Sequence, residues 1–466
     1  MEDIVRWTIA VLLAGVCVAI NWANIQIARL QVRAKEGESK PSFIVFAGGI
    51  VGAIALIVAP HKPLNDYFWV ALLVDLGTGP FVLVMLFAAI LGWVKQDAPK
   101  PPPPGKLEPK ERAIVGCILG TAVGDAMGLA CEGLSRRRQR KLFPQLTGYK
   151  LLPFGKGMCS DDTEHTCMLA QSLIETAGWS DADEMARKFA SNFGWRLRFW
   201  LLGLPAGIGL ATLRAILKLW IGFPARYSGV FSAGNGPAMR VALLGVCFGD
   251  EPPRMRALVR AATRITHTDP KAEYGALAVA LAAHFATTRA ESVAPSEYLS
   301  ALQPLCGENA EFMALMRAVA QSAARGESTE NFAATLGCEL GVTGYMYHSV
   351  PVALHVWLRR PADYRAAVTE TVRLGGDSDT VAAVVGALVG ARVGKDGIPA
   401  EWLRGLWEWP RTKKWLEQLG VLLAERCNDH ANGGALPLNW LKLMLRNALF
   451  IPLVLAHGFR RLLPPY

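Results

Sequence analysis

The sequence predicts an all-α protein: a small helical membrane domain followed by a larger helical globular domain. Three observations carry that reading. Three long apolar stretches open the chain, each long enough to cross roughly 30 Å of hydrocarbon as a helix. Beyond them the apolar residues recur at helical spacing, as in Met168, Leu169, Ser172 and Leu173, or Ala276, Leu277, Ala280, Leu281 and His284, and alternating strand-like runs are few. Two Asp-rich patches each lead directly into an apolar helical run.

The apolar stretches are residues 7–28, 43–60 and 67–94, and they are read as three transmembrane helices in a membrane domain over 1–95. The acidic start Met1-Glu2-Asp3 and the repetition of spans both disfavour a cleaved signal peptide. Asp75 precedes a break at Gly77-Thr78-Gly79-Pro80, so the third stretch is kinked or re-entrant, and Asp75 is given a structural role there. Basic residues set the orientation. Arg29, Arg33, Lys35 and Lys40 lie in the first loop, Lys62 alone in the second, and Lys95, Lys100, Lys106 and Lys110 after the third stretch. The expectation is a multi-pass protein of the cytoplasmic membrane with an outside N-terminus and everything after residue 94 on the cytoplasmic side.

Residues 96–110 contain Pro101-Pro102-Pro103-Pro104, a semi-rigid polyproline II spacer. The globular domain is expected over 111–425. In the tail, 426–466, apolar residues mix with Lys442, Arg446, Arg460 and Arg461, and Pro452 is expected to break any single long helix. This is an amphipathic segment that lies at the membrane interface or packs on the globular domain.

Composition narrows the partners. The chain is 52% hydrophobic and 19% charged, which suits a membrane lipid partner. Its net charge of +10 alone does not choose among anionic partners, but the densest basic run, Arg136-Arg137-Arg138-Gln139-Arg140-Lys141, has no interleaved aromatics, so no nucleic acid partner is expected. Nine scattered cysteines without a CxxC pair argue against a thiolate zinc site or a disulfide framework.

The chemistry is concentrated in the two patches. Ser160-Asp161-Asp162-Thr163 precedes the run Cys167-Met168-Leu169-Ala170, and Asp377-Ser378-Asp379-Thr380 follows a Gly375-Gly376 turn and precedes Val381-Ala382-Ala383-Val384. Asp at a helix start can simply cap the exposed amides. Two such starts with paired carboxylates and hydroxyls equally suit a hard-cation site for Mg²⁺, Ca²⁺ or Mn²⁺.

Five motifs in order then resemble those of the ADP-ribosylglycohydrolase family, the group that includes dinitrogenase reductase activating glycohydrolase. They are residues 116–128 (GCILGTAVGDAMG) with Glu132, the Ser160 patch, residues 234–240 (GNGPAMR), Thr266-His267-Thr268, and the Gly375–Thr380 patch. The resemblance covers about residues 112–425 and says nothing about residues 1–110. It implies an all-α fold, two divalent cations, Mg²⁺ or alternatively Mn²⁺, and cleavage of ADP-ribose from a modified group by water attack at the anomeric carbon. The implied metal ligands are Ser160, Asp161, Asp162, Asp377, Asp379 and Thr380. Glu132 holds the water or acts as base alongside the four aspartates. Ser232, Gly234, Asn235 and Gly236 form the diphosphate loop, and His267 contacts the distal ribose. Tyr345 or Tyr347 is placed on the substrate side, whereas His165, His348 and His355 are read as packing residues. The implied partner is an ADP-ribosylated protein or an ADP-ribose-containing small molecule. A non-catalytic ADP-ribose-binding sensor or scaffold on the membrane is the alternative, and the presence of all four aspartates favours the hydrolase.

Overall fold

A computed structural model describes residues 2–33, 47–71 except 66 and 69, 107–289, 293–429, 432–460 and 464. Lys35 and Lys40 of the expected first loop, most of the third apolar stretch with Asp75 and its glycine break, and most of the Pro-rich spacer lie outside the described residues, whereas Arg29 and Arg33, expected in that loop, belong to the first helix. Among the described residues the secondary structure is helical, with isolated β-bridges and no strand. The chain divides into two compact units, Met1–Asp97 with Arg214–Ser228, and Ala98–Leu213 with Gly229–Tyr466.

In the first unit, helix α1 (Glu2–Arg33) carries exposed apolar side chains, including Ile4, Val11, Leu12, Val18 and Trp22. Its segment Asp3–Gln26 is long and apolar enough to cross a membrane. Helix α2 (Ala47–Val58) packs on it closely, since a Cβ at Gly52 would lie 3.0 Å from Cys17 Sγ, and Arg6 Nε donates to the Val58 carbonyl at 3.2 Å. The helix described within the second stretch is thus 12 residues, about 18 Å by helical rise. Of the three expected spans, only the first is described at crossing length.

The second unit is built around helix α3 (Pro109–Gly128), which starts at a capping box between Glu108 and Glu111 and has every residue from Ala113 to Gly128 buried. Such a helix is apolar on all sides because it is surrounded by protein. It is also long and apolar enough to cross a membrane, but the segment Pro109–Cys131 is wholly enclosed by this unit and forms its core. The glycines of α3 recur at every fourth position, 116, 120, 124 and 128, a spacing that permits close helix packing, and they face helix α8 (Ser378–Val393). A Cβ at Gly116, Gly120, Gly124 or Gly128 would overlap the backbone carbonyl of Gly390, Gly386, Ala382 or Ser378 respectively. The helices therefore run antiparallel with backbones in contact. The end of α3 meets the start of α8, and Ser378 Oγ donates to the Gly128 carbonyl at 2.9 Å.

Around this pair stand α4 (Asp161–Ile174), α5 (Ala182–Leu202), α6 (Pro270–Thr288), α7 (Met346–Arg359) and α9 (Lys413–Asp429). The cysteines are thiols, eight of them buried.

The tail departs from expectation. Trp440–Arg460 is one continuous helix, α10, with Pro452 inside it. Leu443, Arg446, Asn447 and Phe450 are buried and pack one face of it on the globular unit, while Leu441, Leu445, Leu449, Leu455 and Phe459 are exposed. A proline inside a helix costs about 3 kcal/mol. That docking offsets the cost, and Pro452 lies beyond the last fully buried anchor.

Candidate active site

Helix α4 starts where it does because Ser160 caps it: Ser160 Oγ accepts from the Asp162 amide at 3.3 Å. Asp161, Asp162 and Glu164 occupy the first turn, at the positive end of the helix dipole. Beneath them lies Asp125, fully buried in the last turn of the glycine helix α3. Its carboxylate accepts from the Ser160 amide at 2.9 Å, the Thr163 amide at 3.1 Å and Thr163 Oγ1 at 2.5 Å. Burial pushes the Asp125 carboxyl up to about 6, while the bonds from Thr163 and Ser160 oppose that rise. Asp125 thus supports the first patch from outside it, and its signal in the sequence is a lone carboxylate in the apolar, glycine-rich stretch 113–128.

The second patch depends on backbone shape. Gly375 and Gly376 have φ of 68° and 77°, in the left-handed region, and a Cβ at Gly376 would overlap the Val342 carbonyl. The turn is tied to the segment after α3: Gly133 N donates to Gly376 O at 2.7 Å, and Gly376 N to Leu134 O at 2.8 Å. Asp377 N donates to Val342 O at 2.7 Å. Glu132, at the end of the short Leu129–Cys131 turn, therefore lies in the segment laced to Asp377, and both residues line an open cleft of about 590 Å³.

The two patches meet. Asp162 Oδ2 accepts from Ser160 Oγ at 3.1 Å and from Thr380 Oγ1, on the other patch, at 3.3 Å. Burial raises the Asp161, Asp162 and Asp379 carboxyls well above the usual range, and neighbouring carboxylates add to it: Asp125 for Asp161 and Asp162, Glu132 and Asp377 for Asp379. Asp377 is raised by burial and held back by the bond from Asn235. Asp162 Oδ1 and Asp379 Oδ1 are buried and have no hydrogen-bond partner among the described residues. Crowded, desolvated carboxylates with orphaned oxygens fit a hard divalent cation, whose charge would relieve both the repulsion and the lost hydration. Among the described residues no three His, Cys, Asp or Glu side chains are grouped closely enough to hold a metal ion by themselves.

The expected diphosphate loop sits against the second patch. Asn235 Nδ2 donates to Asp377 Oδ2 at 2.7 Å, and Asn235 N to Gly344 O at 2.9 Å. Gly234 and Gly236 face His267, where a Cβ would come within 3.1 and 3.2 Å of the imidazole. Ser232 Oγ is used within the turn, accepting from Gly234 N at 3.3 Å. Burial and the Arg240 charge push His267 down to about 3, so it is a neutral imidazole, with Nδ1 2.8 Å from Thr266 Oγ1. Tyr345 lies beside this loop, bridged to Gly234, and its hydroxyl accepts from Lys271 Nζ at 3.1 Å. His165 and His355 are buried packing residues bonded to Arg240 and to Thr329 and Ser322.

Comparison with known proteins addresses the same span of chain. The model of the ADP-ribosylglycohydrolase family matches residues 106–433. A relative from Archaeoglobus fulgidus, without a described function, is 30% identical over 68% of this chain and 97% of its own length. The ADP-ribosyl-[dinitrogen reductase] glycohydrolase of Rhodospirillum rubrum is 27% identical over 64% of this chain and 90% of its own. ADP-ribosylhydrolase ARH3 of Mus musculus is 25% identical over 62% and 85%. The matched span holds both Asp patches, their glycine seam and the Asn235 loop, and the chain belongs to the ADP-ribosylglycohydrolase family, hydrolases of glycosyl bonds.

Proposed function

We propose that the chain is a membrane-anchored ADP-ribosyl hydrolase whose two Asp patches hold a pair of divalent cations, Mg²⁺ or alternatively Mn²⁺, and which releases ADP-ribose from a modified protein side chain or a related small ligand. The observation that carries this reading is the meeting of Asp162 and Thr380 beside orphaned buried carboxylate oxygens at the joined ends of α3 and α8. Ser160, Asp161, Asp162, Asp377, Asp379 and Thr380 are the proposed ligands. When bound, such ions supply positive charge that orients ribose hydroxyls and lowers the pKa of water.

The remaining work falls to the chain. Asn235 orients Asp377, and the small residues at 234 and 236 admit a diphosphate next to neutral His267. Glu132, in the cleft with Asp377, takes a proton from the attacking water. The water oxygen bonds the anomeric carbon as the bond to the acceptor atom breaks, and a proton returns to that acceptor.

Two features support the membrane part: the exposed apolar surface of α1, and the exposed Leu441, Leu445, Leu449, Leu455 and Phe459 on α10. The basic flanks of the apolar stretches support a multi-pass arrangement with the catalytic domain on the cytoplasmic side. The test is Mg²⁺-dependent release of ADP-ribose from arginine- and serine-modified substrates by the full chain. Asp377→Ala is expected to abolish release while keeping the fold; undiminished turnover in that variant refutes the assignment.

A further inference from the structure

Residue Arg446 lies outside the span matched by the family, on the docked face of α10, yet it reaches the backbone immediately before the first Asp patch. Its Nη2 donates to the Cys159 carbonyl at 2.5 Å and to Glu408 Oε2 at 2.7 Å. The same Glu408 oxygen accepts from the Cys159 amide at 2.9 Å. Both polar groups of Cys159 are thus held by one ion pair, with side chains only 1% and 2% exposed. Next along the chain, Ser160 N is fixed by Asp125.

The pair belongs to a closed cluster. Glu164, in the first turn of α4, accepts from Arg411 at 2.7 Å and from Trp200 Nε1 at 2.5 Å, and lies 3.8 Å from Arg446 Nη1. Two guanidiniums face two carboxylates, so the cluster is neutral and each charge has a partner, the condition under which buried ions are tolerated. Beside it, Asn447 Oδ1 accepts from Arg446 Nη1 at 3.0 Å and Asn447 Nδ2 donates to the Gly203 carbonyl at 2.7 Å, so Asn447 steadies the guanidinium as well as the helix.

We infer that α10 is a working part of the catalytic centre, and that Arg446, acting with Glu408 through Cys159, is a positioning residue that holds Ser160, Asp161 and Asp162 in their cation-binding arrangement. This rests on the divalent-cation reading of the Asp patches. The guanidinium suits the task because Nη2 donates to the carbonyl and the carboxylate at once while Nη1 is held by Asn447, a planar arrangement that an ammonium on a flexible stem does not reproduce. Groups that orient metal ligands without touching the ion typically change affinity by about 10–100-fold when removed.

The experiment is calorimetric titration of Mg²⁺ into the full chain in detergent without substrate, followed by the Mg²⁺ dependence of ADP-ribose release. Arg446→Met is expected to weaken Mg²⁺ binding by about tenfold or more and to raise the Mg²⁺ needed for half-maximal release in parallel. At saturating Mg²⁺ its substrate KM stays within about twofold of wild type, because the substrate loop is untouched. Arg446→Lys keeps the ion pair but loses the two-pronged hold, and it is expected to fold and to bind Mg²⁺ about threefold or more weakly; it decides the question if the Met variant does not fold. Leu443→Ala removes a buried apolar anchor of α10 that takes no part in the hydrogen bonds of Cys159, Glu408 and Arg446, and is expected to leave Mg²⁺ affinity within about twofold. Wild-type affinity in the Lys and Met variants, or an equal loss in Leu443→Ala, overturns the positioning role. Absence of Mg²⁺ and Mn²⁺ binding by the wild-type chain overturns instead the cation reading, and this inference with it.

Discussion

Replacing Gly120 with Ala adds a single methyl group at the contact between α3 and α8. There it would overlap the Gly386 carbonyl oxygen, lie 2.9 Å from the carbon behind that oxygen, and approach Gly390 Cα to 3.1 Å. All three atoms are backbone, so no rotamer change relieves the contact and the helices must part. Overpacking a well-filled core costs about 1–3 kcal/mol, and a rigid backbone neighbour puts this site at the upper end. Alanine returns about 1 kcal/mol through its better helix propensity. The net loss is about 2 kcal/mol, which for a large domain lowers the thermal midpoint by about 4 °C. Because the seam also sets Glu132 against Asp377, kcat/KM should fall too: a misplacement of about 1 Å costs about a hundredfold. The assay is thermal unfolding of the full chain in detergent, followed by tryptophan fluorescence, together with ADP-ribose release. Gly148→Ala is the control, since a Cβ there meets nothing within 4 Å. If Gly120→Ala melts and turns over like Gly148→Ala, the glycine seam does not hold the site together.

Two other outcomes follow from the electrostatics. Asp379→Asn removes one of the crowded, desolvated carboxylates, so in chelator the variant should melt higher than wild type, while the Mg²⁺-induced rise in midpoint, governed by ligand binding to the folded state, should disappear; a lower midpoint in chelator contradicts the crowding argument. His355 is pushed down to about 4, by burial first and then by Arg359, against the opposing Glu370 and Glu327. The unfolded chain therefore binds a proton that the folded chain refuses between about pH 6.5 and 4, so this contribution is fully present above about 6.5 and is lost as pH falls towards 4. His355→Gln should flatten the fall of the thermal midpoint across that window, and an unchanged slope would show that His355 is not a source of acid sensitivity.

Much of the site was legible in local sequence. Gly375-Gly376 before Asp377 signalled a turn, and the two Asp patches signalled helix starts, whereas the partner of glycines 116, 120, 124 and 128 is visible only in the fold. Asp125 was visible as a residue but not as the support of Ser160 and Thr163, because that role depends on a contact across 35 residues. Hydropathy misleads for α3, which has the length and apolarity of a membrane helix yet is the core of the second unit. A helix enclosed by protein and one enclosed by lipid both need apolar side chains on every face, so composition does not separate them. Pro452 misled in the other direction, since its local cost is outweighed by docking contacts that the local pattern does not contain.

The sequence by itself determined the helical class, the ordered motifs of the family and the oxygen-rich chemistry of the two patches, because caps, turns and periodicity are set by neighbours within a few residues. Only the tertiary structure decided which glycines face which carbonyls, that Asp162 touches Thr380, and that a tail arginine holds Cys159 from 287 residues away. Those contacts arise where chain segments distant in sequence exclude water from one another, and the charges buried there persist because partners from other helices complete their hydrogen bonds.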